Sequence, residues 1–90
     1  MYTVKATTKF QKDLKTIQKR GYDISLLTNI VKIMAKGEAI PPKYKDHELK
    51  GNYKGLRELH ITPDWLLIYE IDKDTVILYL TRTGTHSDLF

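Results

Sequence analysis

Along the 90-residue chain the spacing of apolar positions changes once, from a helical period to a strand period. Ahead of the change, Tyr2–Ala6 alternates and carries Tyr, Thr and Val, which predicts a short strand. Phe10, Leu14 and Ile17 then recur at helical spacing, with Lys12, Lys15 and Lys19 on the opposite side. Thr7 or Thr8 can cap this helix, and Gly21 can stop it. Asp23 opens a second helix that ends by Gly37. Its apolar set is broad (Ile24, Leu26, Leu27, Ile30, Val31, Ile33, Met34), leaving Asn29, Lys32 and Lys36 as the polar stripe. A helix this apolar is buried on two sides or covered by a partner, and packing on a sheet accounts for much of it.

Glu38–Lys45, with Pro41 and Pro42, is a loop. A short strand is expected around Leu49–Tyr53. Gly55–Ile61 alternates, with Leu56, Glu58 and His60 on one face and Arg57, Leu59 and Ile61 on the other. Thr62-Pro63-Asp64 is a turn. Trp65–Ile71 is apolar enough for a central strand, Asp72-Lys73-Asp74 is a hairpin loop, and Thr75–Thr83 is a further strand. Gly84 breaks that strand, and His86–Phe90 is a short tail. The fold class is α+β: β-α-α and then a meander, two helices on one face of a mostly antiparallel sheet. The other sheet face is left as a surface for binding.

Ninety residues with 41% hydrophobic and 29% interspersed charged positions suit one compact domain, 1–90. With no cysteine there is neither a disulfide framework nor a thiolate zinc site. The apolar runs are too short to span a bilayer, and the start lacks the apolar stretch of a signal peptide, so a cytoplasmic protein with no membrane partner is expected. The net charge of +4 is unevenly placed: residues 1–54 hold 12 basic and 5 acidic side chains, giving +7, and residues 55–90 hold 3 and 6, giving −3. A basic half suits a polyanion or an acidic protein, and charge does not choose between them.

Three histidines, His47, His60 and His86, fall at element ends, where a rigid scaffold can present them. They lack the short spacing of a metal pair, and no metal or other cofactor is expected. RNA cleavage needs a base for the ribose 2′-hydroxyl, an acid for the leaving 5′-oxygen and cations for the charged transition state. Imidazoles suit the proton transfers, a carboxylate such as Asp64 can orient one, and Arg57, Arg82, Lys50 and Lys54 suit phosphate. Trp65, Tyr53 and Phe90 suit stacking on bases. Each has a plainer explanation: Trp65 as core, the arginines in structural ion pairs with Glu58, Glu70 or Asp88, the helix lysines as a solvated face. No nucleophilic triad, phosphate loop or dinucleotide glycine pattern is present. A binding module without catalysis would use the same basic face, and a metal-dependent hydrolase would carry a stoichiometric ion.

The segments Tyr44-Lys45-Asp46-His47-Glu48-Leu49-Lys50-Gly51, Arg57-Glu58-Leu59-His60-Ile61-Thr62-Pro63-Asp64-Trp65, and Arg82-Thr83-Gly84-Thr85-His86-Ser87-Asp88-Leu89-Phe90 together resemble, in order and spacing, the YafQ branch of the RelE toxin superfamily. The Phe-Gln-Lys-Asp-Leu run of the first helix is similar too, so the resemblance covers the chain. It implies a type II toxin: a ribosome-dependent mRNA endoribonuclease acting in the ribosomal A site without a metal, by 2′-hydroxyl attack and a cyclic phosphate product. It places catalysis on His47, His60, Asp64 and His86, with His47 or His60 as base, His86 as acid and Asp64 orienting a histidine or assisting the base. Phe90 matches a functional C-terminal aromatic, and Trp65 lies beside the catalytic aspartate. RNA contacts then fall to Lys50, Lys54, Arg57, Trp65, Arg82 and Phe90. A DinJ-like antitoxin is implied as partner, wrapped along the helices and lysine-rich half, with operator DNA contacted only through it. Two positions depart from the pattern: Glu48 stands where Pro is expected, putting an anion beside His47, and Tyr53 stands where Trp is common.

Overall fold

The computed structural model describes residues 1–90. Strands β1 (Thr3–Ala6), β2 (His47–Glu48), β3 (Arg57–Thr62), β4 (Trp65–Asp72) and β5 (Ile77–Gly84) form one sheet in the order β1-β5-β4-β3-β2. All pairs are antiparallel except β1 with β5, which are parallel. β4 lies at the centre, as its apolar run requires, and Trp65 through Tyr69 are all buried.

Helices α1 (Thr8–Lys19) and α2 (Ile24–Ala35) cover one face. Phe10 and Ile17 of α1 and Leu27, Ile30 and Met34 of α2 pack there with Leu59, Ile61, Trp65, Leu67, Tyr69, Leu78 and Leu80. Each sheet residue in that set follows the alternation of its strand. Thr7 caps α1 by accepting from Phe10 N at 3.0 Å, and its hydroxyl donates to Thr81 O at 2.7 Å. The same hydroxyl thus ends a helix and fastens it to β5. Gly21, at φ +85°, lets Tyr22 N reach Ile17 O at 3.3 Å and close the last turn. The broad apolar stripe of α2 is mostly absorbed by the core, although Leu26 stays 40% exposed.

Several local expectations are overturned. The short strand comes earlier, at His47–Glu48, and Gly51–Tyr53 is a 3-10 turn instead. Thr75 and Val76 are not strand: they extend the β4–β5 turn, and Val76 takes φ +57° so that its carbonyl can accept from Thr3 N at 2.9 Å. The tail is a third layer, helix α3 (His86–Leu89), closed by a capping box between Thr85 and Asp88. Leu89 anchors it on the far side of the sheet from α1 and α2, against Leu66 and Ile68.

Register supplies one more feature. Ile68 pairs with Arg82 but Tyr69 pairs with Leu80, so Thr81 is an extra residue in β5. The bulge reverses the alternation. Leu80 faces α1 and α2 beside Tyr69, whereas Arg82 shares the face of Ile68 and α3.

Candidate active site

The face of the sheet opposite α1 and α2 carries the histidines. Cross-strand pairing puts His47 beside Glu58, Glu58 beside Ile68 and His60 beside Leu66. Helix α3 then lays His86 and the C-terminal Phe90 over the same face, held by Leu89. The result is a continuous row. The rings of His47 and His60 are 6.3 Å apart, those of His60 and His86 6.3 Å, and those of His86 and Phe90 5.6 Å. Tyr53 closes the row edge-on to Phe90 at 5.3 Å and donates its hydroxyl to Leu89 O at 3.1 Å. Asp64, in the β3–β4 turn, lines a shallow pocket with Thr85, His86 and Ser87. His47, His60, His86, Asp64 and Phe90 are therefore together, although they span 44 residues of chain.

The surroundings fix what each can do. His47 is half-exposed, with Nδ1 2.8 Å from Lys45 O and Nε2 3.1 Å from Glu58 Oε2. Both ring nitrogens face acceptors, so neither presents a free lone pair to a substrate hydroxyl while both contacts stand. Glu58 is 4% exposed, and its Oε1 is buried without a hydrogen-bond partner. The carboxyl group beside His47 is thus that of Glu58 rather than Glu48, which points to Arg57 at 3.5 Å. The signal for Glu58 was its place on the His60 face of an alternating strand, a pattern that says nothing of His47 until β2 is paired.

The β5 bulge sets Arg82 on this side of the sheet, where the outer edge of β5 is unpaired, and its guanidinium lines a pocket with Asp13, Thr16 and Asp88 rather than with the histidines. Asp13 of α1 holds it, with Nε 2.7 Å and Nη2 3.1 Å from the carboxylate, and also accepts from Thr83 N at 3.1 Å. The pairing raises the Arg82 pKa above its ordinary value. α3 is held by Asp88, which accepts from Arg20 at 2.7 and 3.0 Å and from Thr85 N at 2.9 Å. Arg20 is the main reason the Asp88 carboxyl lies well below the usual carboxylate range. A Cβ on Gly84 would lie 2.9 Å from that of Asp88, so glycine is required where β5 turns into α3.

Other expected contacts are not brought to the row. Trp65 is fully buried under Tyr22, edge to face at 5.3 Å, and its Nε1 donates to Thr83 Oγ1 at 2.8 Å. It presents no ring face for a base to stack on. Arg57 lies on the α1–α2 side, forked onto Asp46 with Nη2 at 2.7 Å, and Asp46 also accepts from the Tyr69 hydroxyl. Burial, with that carboxylate, pushes the Tyr69 phenol upward, and the Asp46 bond raises the Arg57 pKa. Neither arginine pairs with the acids its sequence neighbourhood suggested, because Asp13 and Asp46 are brought in by folding. Lys54 lines a groove with Arg57 and Tyr69, apart from the histidines, and Lys50 is exposed before the 3-10 turn.

Residues 2–90 match the family model described as bacterial toxin of type II toxin-antitoxin system, YafQ. The mRNA interferase toxin YafQ of Escherichia coli strain K12 is 42% identical over 83 residues, covering 90% of this chain and 87% of that protein. Among solved structures, a metal-bound toxin from Helicobacter pylori superposes with a TM-score of 0.93 at 48% identity, covering both chains fully. YafQ in the E. coli DinJ-YafQ complex superposes with a TM-score of 0.90 at 36% identity, covering 100% of this chain and 99% of that one. On a match that runs nearly from end to end, the chain belongs to the YafQ family of bacterial toxins from type II toxin–antitoxin systems.

Proposed function

We propose that this protein is an endoribonuclease that cuts messenger RNA, the toxin of a pair whose antitoxin is DinJ-like. The observation that carries the reading is the row His47–His60–His86–Phe90, with Asp64 at its edge, on a sheet face that α1 and α2 leave free. The relatives' names supply the substrate and the partner.

The chemistry is a transesterification. A base removes the 2′-hydroxyl proton, the 2′-oxygen attacks phosphorus, and the bond from phosphorus to the 5′-oxygen breaks. An acid protonates that oxygen, leaving a 2′,3′-cyclic phosphate and a 5′-hydroxyl. In-line displacement needs base and acid on opposite sides of the phosphate, and His86 at one end of the row suits the acid. His60 suits the base better than His47, whose two nitrogens are already engaged. His47, backed by Glu58, then steadies the phosphate charge. Asp64 assists His86 or the base across their shared pocket, and Phe90 stacks on a base beside the cut. Cutting in the ribosomal A site, in the cytoplasm, completes the reading. No step in it calls for a metal ion.

The test is cleavage of a defined message, free and on programmed ribosomes, by wild type, His60→Ala and His86→Ala, each checked for folding. Wild type should leave cyclic phosphate and 5′-hydroxyl ends, with or without EDTA. Each variant should fall by at least about a hundredfold, the usual worth of a general acid or base. Equal cleavage by folded variants, or loss of cleavage with EDTA that zinc or copper restores, would overturn the mechanism.

A further inference from the structure

Next to the row is a pocket of about 320 Å³ that the chemistry above does not use. It exists because β2 is short. β2 pairs with β3 only at Arg57 and Glu58, so past that point the outer edge of β3 has no strand beside it. The 3-10 turn Pro42–Tyr44 stands opposite this open edge, and Leu26 of α2 closes a third side. We infer that this pocket is a nucleobase subsite, which seats one base of the RNA strand and so selects the phosphate presented to His60. The inference rests on the endoribonuclease reading.

Size, lining and position each support it. About 320 Å³ lies at the low end of ligand pockets, which run from about 300 to 1,000 Å³, and suits one planar ring system. Leu26, Ile61 and Pro63 give apolar walls, and the half-buried Tyr44 ring gives a face for stacking. Thr62 and His60 add groups that can hydrogen-bond to the edge of a base. Lys43 and Lys45 are both exposed at the rim, and Lys43 Nζ lies 5.1 Å from the centre of the Tyr44 ring. Lys43 thus lies over the ring and is displaced toward the phosphate when a base stacks there; a cation at each side of an aromatic wall matches a base with its flanking phosphates. His60 belongs both to this wall and to the catalytic row. The loop on the far side is tied to the row as well: Lys45, held at φ +52°, accepts from His47 Nδ1 at 2.8 Å. A base seated here puts its own ribose and phosphate beside the histidines.

Two variants separate the subsite from the catalytic row. Leu26→Trp, at an exposed helix position, fills the pocket, and Tyr44→Ala removes its stacking face. Isotope-labelled protein is titrated with adenosine 3′-monophosphate, uridine 3′-monophosphate and ribose 5-phosphate while amide shifts are followed by NMR. The nucleotides should move Tyr44, Lys45 and Thr62 saturably, ribose 5-phosphate should not, and Leu26→Trp should abolish the effect. In cleavage assays both variants should raise the half-saturating RNA concentration about tenfold, the worth of losing one stacked base, and flatten the base preference next to the cut. Equal shifts with ribose 5-phosphate would mean a phosphate site only and would overturn the inference. So would unchanged preference in both variants, or weakened binding of antitoxin without any effect on nucleotides. His86→Ala run alongside keeps the two claims apart: if it cleaves like wild type, the endoribonuclease reading fails, whatever the pocket does.

Discussion

Trp65 and Thr83 give a sharp test of how this core is built. The indole N–H donates to Thr83 Oγ1 at 2.8 Å, and the same hydroxyl donates to Leu66 O at 2.7 Å, all out of contact with water. Thr83→Val keeps the shape and removes the hydroxyl. The Trp65 N–H is then buried without an acceptor, which costs about 1–3 kcal/mol. Taking about 2 kcal/mol, a domain of this size should lose roughly 8–16 °C in Tm. Trp65→Phe removes the donor and leaves Thr83 bonded to Leu66, so its cost is that of the smaller ring. In the double variant no donor is orphaned, and the loss should fall short of the sum of the singles by about 1 kcal/mol. Urea titration of the four proteins measures this directly. All four should cut RNA at similar rates below their melting points, because Trp65 reaches no solvent. The reasoning fails if Thr83→Val costs less than about 0.5 kcal/mol, the size of an ordinary surface change. It fails equally if folded Trp65→Phe no longer cleaves, since Trp65 would then be meeting RNA.

Three further outcomes follow from local geometry. Val76 is a β-branched residue at φ +57°, a conformation that costs a residue with a side chain about 1–2 kcal/mol, so Val76→Gly should raise Tm by several degrees in a thermal scan, with no change in cleavage. Gly84→Ala drives a methyl group into Asp88 and should displace α3, lowering cleavage by at least about tenfold while far-ultraviolet circular dichroism stays near wild type. Asp88 has a carboxyl pKa lowered mainly by Arg20, so its stabilisation is full above the ordinary range near pH 4 and is lost as pH falls through the lower folded value. Wild type should therefore lose stability on acidification more steeply than Asp88→Asn below about pH 4, and parallel acid titrations would contradict this.

The two helices, the central strand and the β3–β4 turn were legible because local rules decide them. Thr7 and Asp23 cap as their types suggest, and Leu59, Ile61, Leu67 and Tyr69 alternate into the core. The segments that went astray are those where no local preference governs. Val76 takes a backbone shape unsuited to its type because β1 needs its carbonyl. α3 is four residues long, too short to show a period, and depends on Leu89 finding Leu66 and Ile68. For the site, residue types and spacing named the three histidines, Asp64 and Phe90 as candidates, but a sequence carries no distances. Their assembly needed β2 to pair with β3, Leu89 to seat α3 on the sheet, and Arg20 to hold Asp88. Likewise, only packing separated Trp65 from Phe90, two aromatics of equal promise in the sequence, one fully buried and the other 58% exposed. Composition and local spacing fix which groups a chain owns and which elements they ride on. Contacts between residues far apart in sequence fix which of those groups meet, because burial and pairing are properties of the assembled sheet and of no segment alone.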